Sequence, residues 1–269
     1  ARAVPTALIT GASSGIGAEF ARSLAARGSD LVVVARREHR LQELARELSA
    51  RHGVAVRIVV ADLATGDGLA RCREAADEAG PLDVVVLNAG FASKGASWQL
   101  DREVEVEMVR LNCVAVTDLA FHVIPAMVER GAGDLVVVSS ASAHTPLPYM
   151  ATYAATKAFE AHLVEALAAE LPGTGVRATA VLPGPTRTEF RVAGDASGPP
   201  RGVPKDDPET VVRAAWVALD RGRPRASVGR VARLGAVGGR LLPRRAVTRL
   251  VARWGRPRTS PRGVGSPPD

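Results

Sequence analysis

The run Thr6-Ala7-Leu8-Ile9-Thr10-Gly11-Ala12-Ser13-Ser14-Gly15-Ile16-Gly17 decides how the rest of the chain is read. An apolar strand ends at Thr10, and a helix is expected to begin near Gly15. Between them, glycines let the backbone turn sharply and admit a bulky anion against the main chain. The helix start offers unsatisfied N–H groups and a favourable dipole to that anion. Taken alone, the turn has a plainer explanation, glycines at steric pinch points between a strand and a helix. Its place directly after a first strand favours a dinucleotide pyrophosphate when the following chain alternates strand and helix.

That alternation runs from Thr6 to Pro185. Short apolar, β-branched runs occur at Thr6–Thr10, Leu31–Ala35, Ala55–Val60, Asp83–Leu87, Asp134–Ser139 and Val176–Val181. Their unbroken apolar character suits strands covered on both faces. Amphipathic stretches lie between them. In Glu38–His52, the clearest, Leu41, Leu44, Ala45 and Leu48 share one face. The pattern predicts an α/β fold, a single doubly wound parallel sheet of Rossmann type with about seven strands and helices on both faces. We place a dinucleotide-binding and catalytic domain at 1–229, with a substrate lid at 184–208 where Gly, Pro, Asp and Ser replace any periodicity. A helix over Glu209–Arg221 and a strand over Ala226–Gly229 complete it. A basic extension follows at 230–269, with helices around Val231–Leu242 and Ala246–Trp254 and a Pro-, Gly-, Ser- and Arg-rich end expected to be flexible.

Composition narrows the setting. Of the net +7, residues 221–269 carry +12 from 13 arginines and one acid, which leaves −5 on the rest. The basic character thus belongs to the tail, and an Arg-for-Lys bias running through the whole chain makes it weak support for nucleic-acid binding, which is not expected. No stretch approaches the roughly 18 apolar residues of a membrane span. Ala1–Thr10 runs straight into a strand without a secretion pattern. Two unclustered cysteines, Cys72 and Cys113, form neither a disulfide framework nor a metal site, so a reducing, cytoplasmic setting is expected. The five histidines are dispersed and no metal is expected.

The end of the second strand selects the nucleotide. An acid there would bond the ribose hydroxyls of NAD, but the run is Val34-Ala35-Arg36-Arg37-Glu38. Arg36 stands at the distance from Gly17 where that acid is expected. A guanidinium can clamp a 2′-phosphate and stack on adenine, so NADP(H) is the expected cofactor, with Arg37 a weaker second ligand. The bland alternative is a solvated charge satisfied by Glu38. Asp62-Leu63 is placed to meet the adenine, though a helix N-cap explains Asp62 nearly as well.

Tyr153-Ala154-Ala155-Thr156-Lys157 sets a phenol and an ammonium one helical turn apart on one face. The ammonium favours phenolate and should lower the phenol's pKa toward neutrality. Such a pair is common by chance. Here it joins Thr10–Gly17, Asp62-Leu63, Asn88-Ala89-Gly90, Asn112, Ser139-Ser140 and Pro183-Gly184-Pro185-Thr186-Arg187-Thr188, in order. With these motifs the chain resembles the short-chain dehydrogenase/reductase family over the part of its sequence that ends near Phe190. Ser140, and not Ser139, precedes Tyr153 at the separation that the family pattern requires. The chain departs from the pattern where Leu87 replaces the first Asn of the family's Asn-Asn-Ala-Gly.

The resemblance implies an NADP-dependent ketoreductase. Tyr153 would be the general acid in reduction and base in oxidation, and Ser140 would hold the substrate oxygen. Lys157 would bind the nicotinamide ribose and tune Tyr153, and Asn112, in a kinked helix, would relay protons through a water. Thr10, Gly11, Ser13, Ser14, Gly15, Ile16, Gly17, Arg36, Arg37, Asp62, Leu63, Asn88, Ala89, Gly90, Pro183, Gly184, Thr186 and Thr188 would cradle the cofactor together with Tyr153 and Lys157. A homo-dimer or tetramer is the family's usual assembly. An alternative is a nucleotide sensor that kept the fold and lost the reaction, which the intact tetrad argues against.

Ser142, His144, Leu147, Pro148, Tyr149, Met150, residues 92–96 and Phe190 are expected to line the substrate pocket. Their mostly apolar character points to a hydrophobic ketone or alcohol. Arg187, Arg191 and Lys205 in the lid leave room for an anionic group. Val231–Trp254 mixes Leu, Val and Trp with Arg and resembles the basic extensions of lipid- or acyl-handling members of the family. Peripheral contact with a membrane or a carrier-bound chain is the alternative to simple packing there.

Overall fold

A computed structural model describes residues 4–190, 192–194, 204–241 and 244–255. The strands are β1 (Thr6–Thr10), β2 (Asp30–Ala35), β3 (Val56–Val60), β4 (Val84–Leu87), β5 (Ala92–Lys94), β6 (Gly133–Val138), β7 (Val176–Pro183), β8 (Val192–Gly194) and β9 (Arg225–Val228). Seven of them form one parallel sheet in the order β3-β2-β1-β4-β6-β7-β9. The order reverses between β1 and β4, so the chain leaves their C-terminal ends in opposite directions and opens a crevice there.

Helices α1 (Gly15–Ala25), α2 (Glu38–His52) and α7 (Pro208–Asp220) cover one face of the sheet. The other face carries α3 (Gly66–Glu78), α4 (Arg102–Val109), α5 (Ala115–Arg130) and α6 (Ala151–Glu170). Alternation along the strands fills both cores at once. Ile9, Val33, Val86 and Val136 pack under the first group, and Leu8, Val32, Val85 and Leu135 under the second. This two-sided burial is why the strands read as continuous apolar runs.

Helices α4 and α5 are joined by a π turn at Arg110–Val114. The combined helix Arg102–Arg130 is long and apolar enough to cross a membrane, contrary to the sequence expectation. Its apolar residues are divided: Ala115, Val116, Leu119, Ala120, Val123 and Met127 are buried against the sheet, while Val109, Val114, Phe121 and Val128 are exposed. Asp118 pairs with Arg73 of α3 at 2.6 Å.

The short β5 and β8 were not legible in the sequence. They pair parallel to each other, Ala92 to Val192 and Lys94 to Gly194, and so fasten the 184–208 segment to the loop after β4. Within that segment Thr186 bridges to Asp206. Arg191 and residues 195–203 lie outside the described residues, as do 256–269 at the end of the tail. Helices α8 (Gly229–Leu241) and α9 (Arg244–Gly255) follow β9. Ala232 of α8 is fully buried, while Leu234 and Leu250 are exposed.

At the sheet edge opposite the crevice, the turns entering β6 and β7 touch through Gly131 and Gly175. Gly175 has φ +81°, and a Cβ on it would run into the carbonyl of Gly131. Nearby Gly173 has φ +85° but open space around it. Gly173→Ala should therefore cost about 1–2 kcal/mol from backbone strain alone. Gly175→Ala should cost at least ~1 kcal/mol more, because backbone must also move. Urea unfolding of the two variants reads the difference, and equal losses would contradict the close approach.

Candidate active site

The crevice floor is built by two side chains that cross it. Thr10 Oγ1 accepts hydrogen bonds from the backbone N–H groups of Asn88, at 2.9 Å, and Ala89, at 3.1 Å. Asn88 Nδ2 donates back to the carbonyls of Thr10 at 3.0 Å and Gly11 at 3.2 Å. The loops after β1 and β4 thus move as one piece. Asn88 lies against the glycine turn so closely that a Cβ on Gly11 would come within 2.7 Å of its Nδ2. A Cβ on Gly17 would run into both Asn88 Nδ2 and the Gly11 carbonyl. Side chains are excluded where the sequence reading places a pyrophosphate, and α1 begins there at Gly15 with its N-terminus free of a side-chain cap. Thr188 reaches across from the lid, its methyl carbon 2.9 Å from where a Gly15 Cβ would stand. Ile16 is partly buried against the core under α1 and α2.

The two arginines after β2 diverge. Arg37 lies over the glycine turn, donating to Ser13 Oγ at 3.2 and 3.1 Å and to Ser14 Oγ at 2.7 Å. It also pairs with Glu189 of the lid at 3.1 Å. Arg36 turns away from the glycine turn, 3.5 Å from Asp62 and 3.6 Å from Glu107. The sequence ranked Arg36 first, whereas the fold puts Arg37 in contact with the serines of the phosphate turn. Asp62 is not a helix cap. It accepts from Ala64 N at 3.0 Å, and Thr65 caps α3. Leu63 is buried in the core.

Opposite the turn, α6 presents Tyr153 and Lys157 to the ends of β4 and β6. Asn112 sits inside the π turn, where the extra residue lets its side chain reach sideways. It takes a bond from Phe91 N at 3.3 Å and donates to Phe91 O at 3.1 Å and Thr156 Oγ1 at 3.0 Å. Its amide thereby clamps the loop after β4 to α6. Gly90 faces this clamp, and a Cβ there would stand 3.0 Å from Asn112 Oδ1 and 3.4 Å from Lys157 Nζ. Lys157 Nζ donates to the Val138 carbonyl at 3.0 Å and to both oxygens of Glu160 at 2.8 and 2.9 Å. Glu160 was not anticipated, although an acid one helical turn after a site lysine is a readable signal.

Ser140 caps a short 3₁₀ turn at Ala141–His144, accepting from Ser142 N at 3.1 Å. Neighbouring Ser139 donates to the Lys157 carbonyl at 2.7 Å. Tyr153 is buried beneath Phe190 of the lid, ring centroids 5.9 Å apart. Burial pushes its pKa up, with Lys157 and Ser140 pulling down, Glu160 pushing up and Ser142 pulling down. The net direction is opposite to the sequence expectation, because burial outweighs the ammonium and Glu160 offsets part of it.

Tyr149 occupies the left-handed region at φ 69°, where bulky side chains are rare, and its carbonyl accepts from Gly95 N at 2.9 Å. This bond joins the loop before Tyr153 to the strand β5, and partly buried Met150 packs against the adjoining core. His144 has other partners than a substrate. Arg225 donates to its Nδ1 at 3.0 Å, so Nε2 carries the proton and donates to Ser227 Oγ at 3.1 Å. Both ring nitrogens are thus engaged by β9. At the lid base, Gly184 N donates to Val228 O at 3.1 Å after Pro183 ends β7, and Thr186 Oγ1 donates to Gly184 O at 3.0 Å. Arg187 is paired bidentately with Asp207.

The sequence pattern of the short chain dehydrogenase family matches residues 5–196, a span that holds the glycine turn, Asn112, Ser140, Tyr153 and Lys157. The chain belongs to the short-chain dehydrogenase family. It is 36% identical over 194 residues to a short chain dehydrogenase of Pseudocercospora fijiensis, covering 71% of this chain and only 62% of that relative's length. Among solved structures it is similar to a short-chain dehydrogenase from Sphingobium yanoikuyae in complex with NADPH. That likeness has 37% identity, a TM-score of 0.79 and coverage of 91% and 95% of the two chains. It is also similar to a bulky-bulky ketone specific alcohol dehydrogenase from Comamonas testosteroni, with 30% identity, a TM-score of 0.75 and 97% of both chains covered.

The glycine cradle of this short-chain dehydrogenase gives a direct test. Gly17→Ala should weaken NADPH binding at least ~10-fold, a loss of ~1.4 kcal/mol, because a methyl group displaces Gly11 and Asn88 together. Gly28→Ala, whose Cβ would meet nothing within 4 Å, should leave it unchanged. Fluorescence titration with NADPH checks both.

Proposed function

We propose that this protein is an NADP(H)-dependent oxidoreductase that interconverts a ketone and a secondary alcohol on a mostly hydrophobic substrate. The observation that carries the reading is the convergence of Ser140, Tyr153 and Lys157 at the mouth of a crevice whose floor excludes side chains. The residues suit a 2′-phosphorylated dinucleotide: Arg36, Arg37 and Ser13 offer charge-assisted donors, and no acid stands at the end of β2. That NADPH accompanies the similar Sphingobium structure supports the choice. When bound, the cofactor supplies or accepts the hydride.

The protein's own residues supply the rest. Ser140 Oγ orients the substrate oxygen by a hydrogen bond. Tyr153 gives its phenolic proton to that oxygen in reduction and recovers one in oxidation. Burial that raises the phenol's pKa opposes this proton transfer, and the Lys157 ammonium and Ser140 act against it. Lys157 stabilises the phenolate that remains, and Asn112 fixes the loop that faces it. Phe190 over Tyr153, with Met150 and Tyr149 nearby, keeps water from the reacting oxygen. These apolar walls, and the likeness to an enzyme described as specific for bulky-bulky ketones, support a hydrophobic carbonyl substrate.

NADPH oxidation over a panel of aliphatic, aryl and cyclic ketones tests the reading. Tyr153→Phe should lower kcat at least ~100-fold, the usual worth of a general acid. Turnover unchanged by that substitution would sink the assignment. Arg36→Asp should weaken NADPH by ~10–100-fold, consistent with one charged hydrogen bond of ~1.5–3 kcal/mol, and spare NADH. Equal losses for the two cofactors, measured by titration, would contradict the 2′-phosphate contact.

A further inference from the structure

We propose that Glu160 is a positioning residue for this chemistry: its carboxyl holds the Lys157 ammonium and, by gaining or losing a proton, sets how strongly Lys157 acts on Tyr153. The inference rests on the roles given above to Tyr153 and Lys157.

The argument begins with a donor count. A lysine ammonium has three N–H donors. In this site they go to Val138 O, Glu160 Oε1 and Glu160 Oε2. Any further acceptor, a ribose hydroxyl included, must displace one of them. The Val138 carbonyl is a fixed backbone group, so the exchangeable bonds are those to Glu160. A protonated carboxyl accepts well through one oxygen and offers an O–H at the other. Protonation of Glu160 therefore releases one Lys157 donor toward the crevice.

Charge acts in the same direction. Lys157 and Glu160 are 3% and 1% exposed, so little solvent screens them. With Glu160 ionised, the pair is neutral overall and lends Tyr153 little. With Glu160 protonated, a full positive charge stands one turn from the phenol and favours its ionised form. Among the described residues, the groups around Glu160 are few. Lys157 and Tyr153 lie on α6, Ser139 comes from the end of β6, and Cys113 from the π turn feels its charge. Burial pushes the Cys113 thiol up to about 11, so it stays neutral. Ser139 donates its proton to the Lys157 carbonyl. Burial pushes Glu160 up to about 7 against the pull of Lys157 and Ser139, so the proton exchanges near neutrality. An apolar side chain at this point on α6 would avoid burying a second charge, and salt-bridge stability alone is a poor reason for one.

The chain holds only three lysines, Lys94, Lys157 and Lys205, so ¹³Cε-lysine labelling yields three resonances, assigned with Lys94→Arg and Lys205→Arg. In the wild type the Lys157 resonance should shift with a midpoint near about 7, where Glu160 exchanges its proton. In E160Q that midpoint should be lost, because no carboxyl remains there to exchange a proton. A flat wild-type resonance, or the same shift in E160Q, overturns the proposal. If E160Q does not fold, Glu160→Asp, which keeps the charge on a shorter arm, should displace the midpoint, and an unmoved midpoint overturns it.

Kinetics give the second readout. Wild-type ketone reduction with NADPH should be fastest below the midpoint and fall about tenfold per pH unit above it, as Glu160 ionises. E160Q, uncharged at every pH, should stay flat through that range. A structural role alone would lower kcat without changing the profile, and that result also overturns the proposal. If instead the wild type turns over no ketone while the Lys157 resonance titrates as described, the carbonyl-reductase reading fails and the Glu160–Lys157 coupling stands.

Discussion

Hydrogen bonding between Thr10 and Asn88 is the constraint on which the crevice depends. The sheet order reverses between β1 and β4, so two chain segments leave adjacent strand ends in opposite directions. Nothing in the backbone ladder holds them together beyond that point. The side chains of Thr10 and Asn88 extend the ladder by one more step and leave a floor too narrow for a side chain at Gly11 or Gly17. The glycine turn is therefore a consequence of close packing between two loops as much as a local turn preference.

On the other wall, buried polar groups replace the ladder. Asn112 spends both amide hydrogens and a carbonyl lone pair on Phe91 and Thr156, which joins the loop after β4, the π turn and α6. Lys157 and Glu160 then lock α6 to the end of β6. Each unpaired member of such a network would cost about 1–3 kcal/mol or more, so the groups stabilise one another's positions. Tyr153 inherits a fixed place from this framework and a raised pKa from its dryness. The same burial makes the phenol hard to ionise, and in the proposed mechanism the charge balance beside it controls the chemistry.

Much of this was legible in the sequence because it is periodic or local. β1 and α2 have the bounds that the pattern predicts, and the remaining expected strands of the main sheet are displaced slightly at one end or both. Two-sided apolar strands and one-sided helices announce themselves, and glycines mark sites of close approach. The tiny β5–β8 pair escaped notice because two such short strands, far apart in the chain, have no periodicity to detect. No stretch was expected to reach the length of a span, yet the helix Arg102–Arg130 is apolar enough for one, with one side of it packed on the core. His144 was placed in the pocket by chain position, but its ring is taken by Arg225 and Ser227 on the edge strand β9, far along the chain.

By itself the sequence determined the doubly wound sheet, the glycine turn after its first strand, the family and the spacing of Ser140, Tyr153 and Lys157. Hydrophobic period suffices for the sheet and helical pitch for Tyr153 and Lys157, while the family and the separation of Ser140 rest on ordered motifs that resemble it. Tertiary structure alone decided that Arg37 covers Ser13 and Ser14 while Arg36 turns to Asp62 and Glu107. It also decided that the Tyr153 pKa moves up and not down, with Glu160 taking two of the three donors of Lys157. Burial and direction in space set these outcomes. Both depend on which elements pack together, a property that no spacing along the chain records.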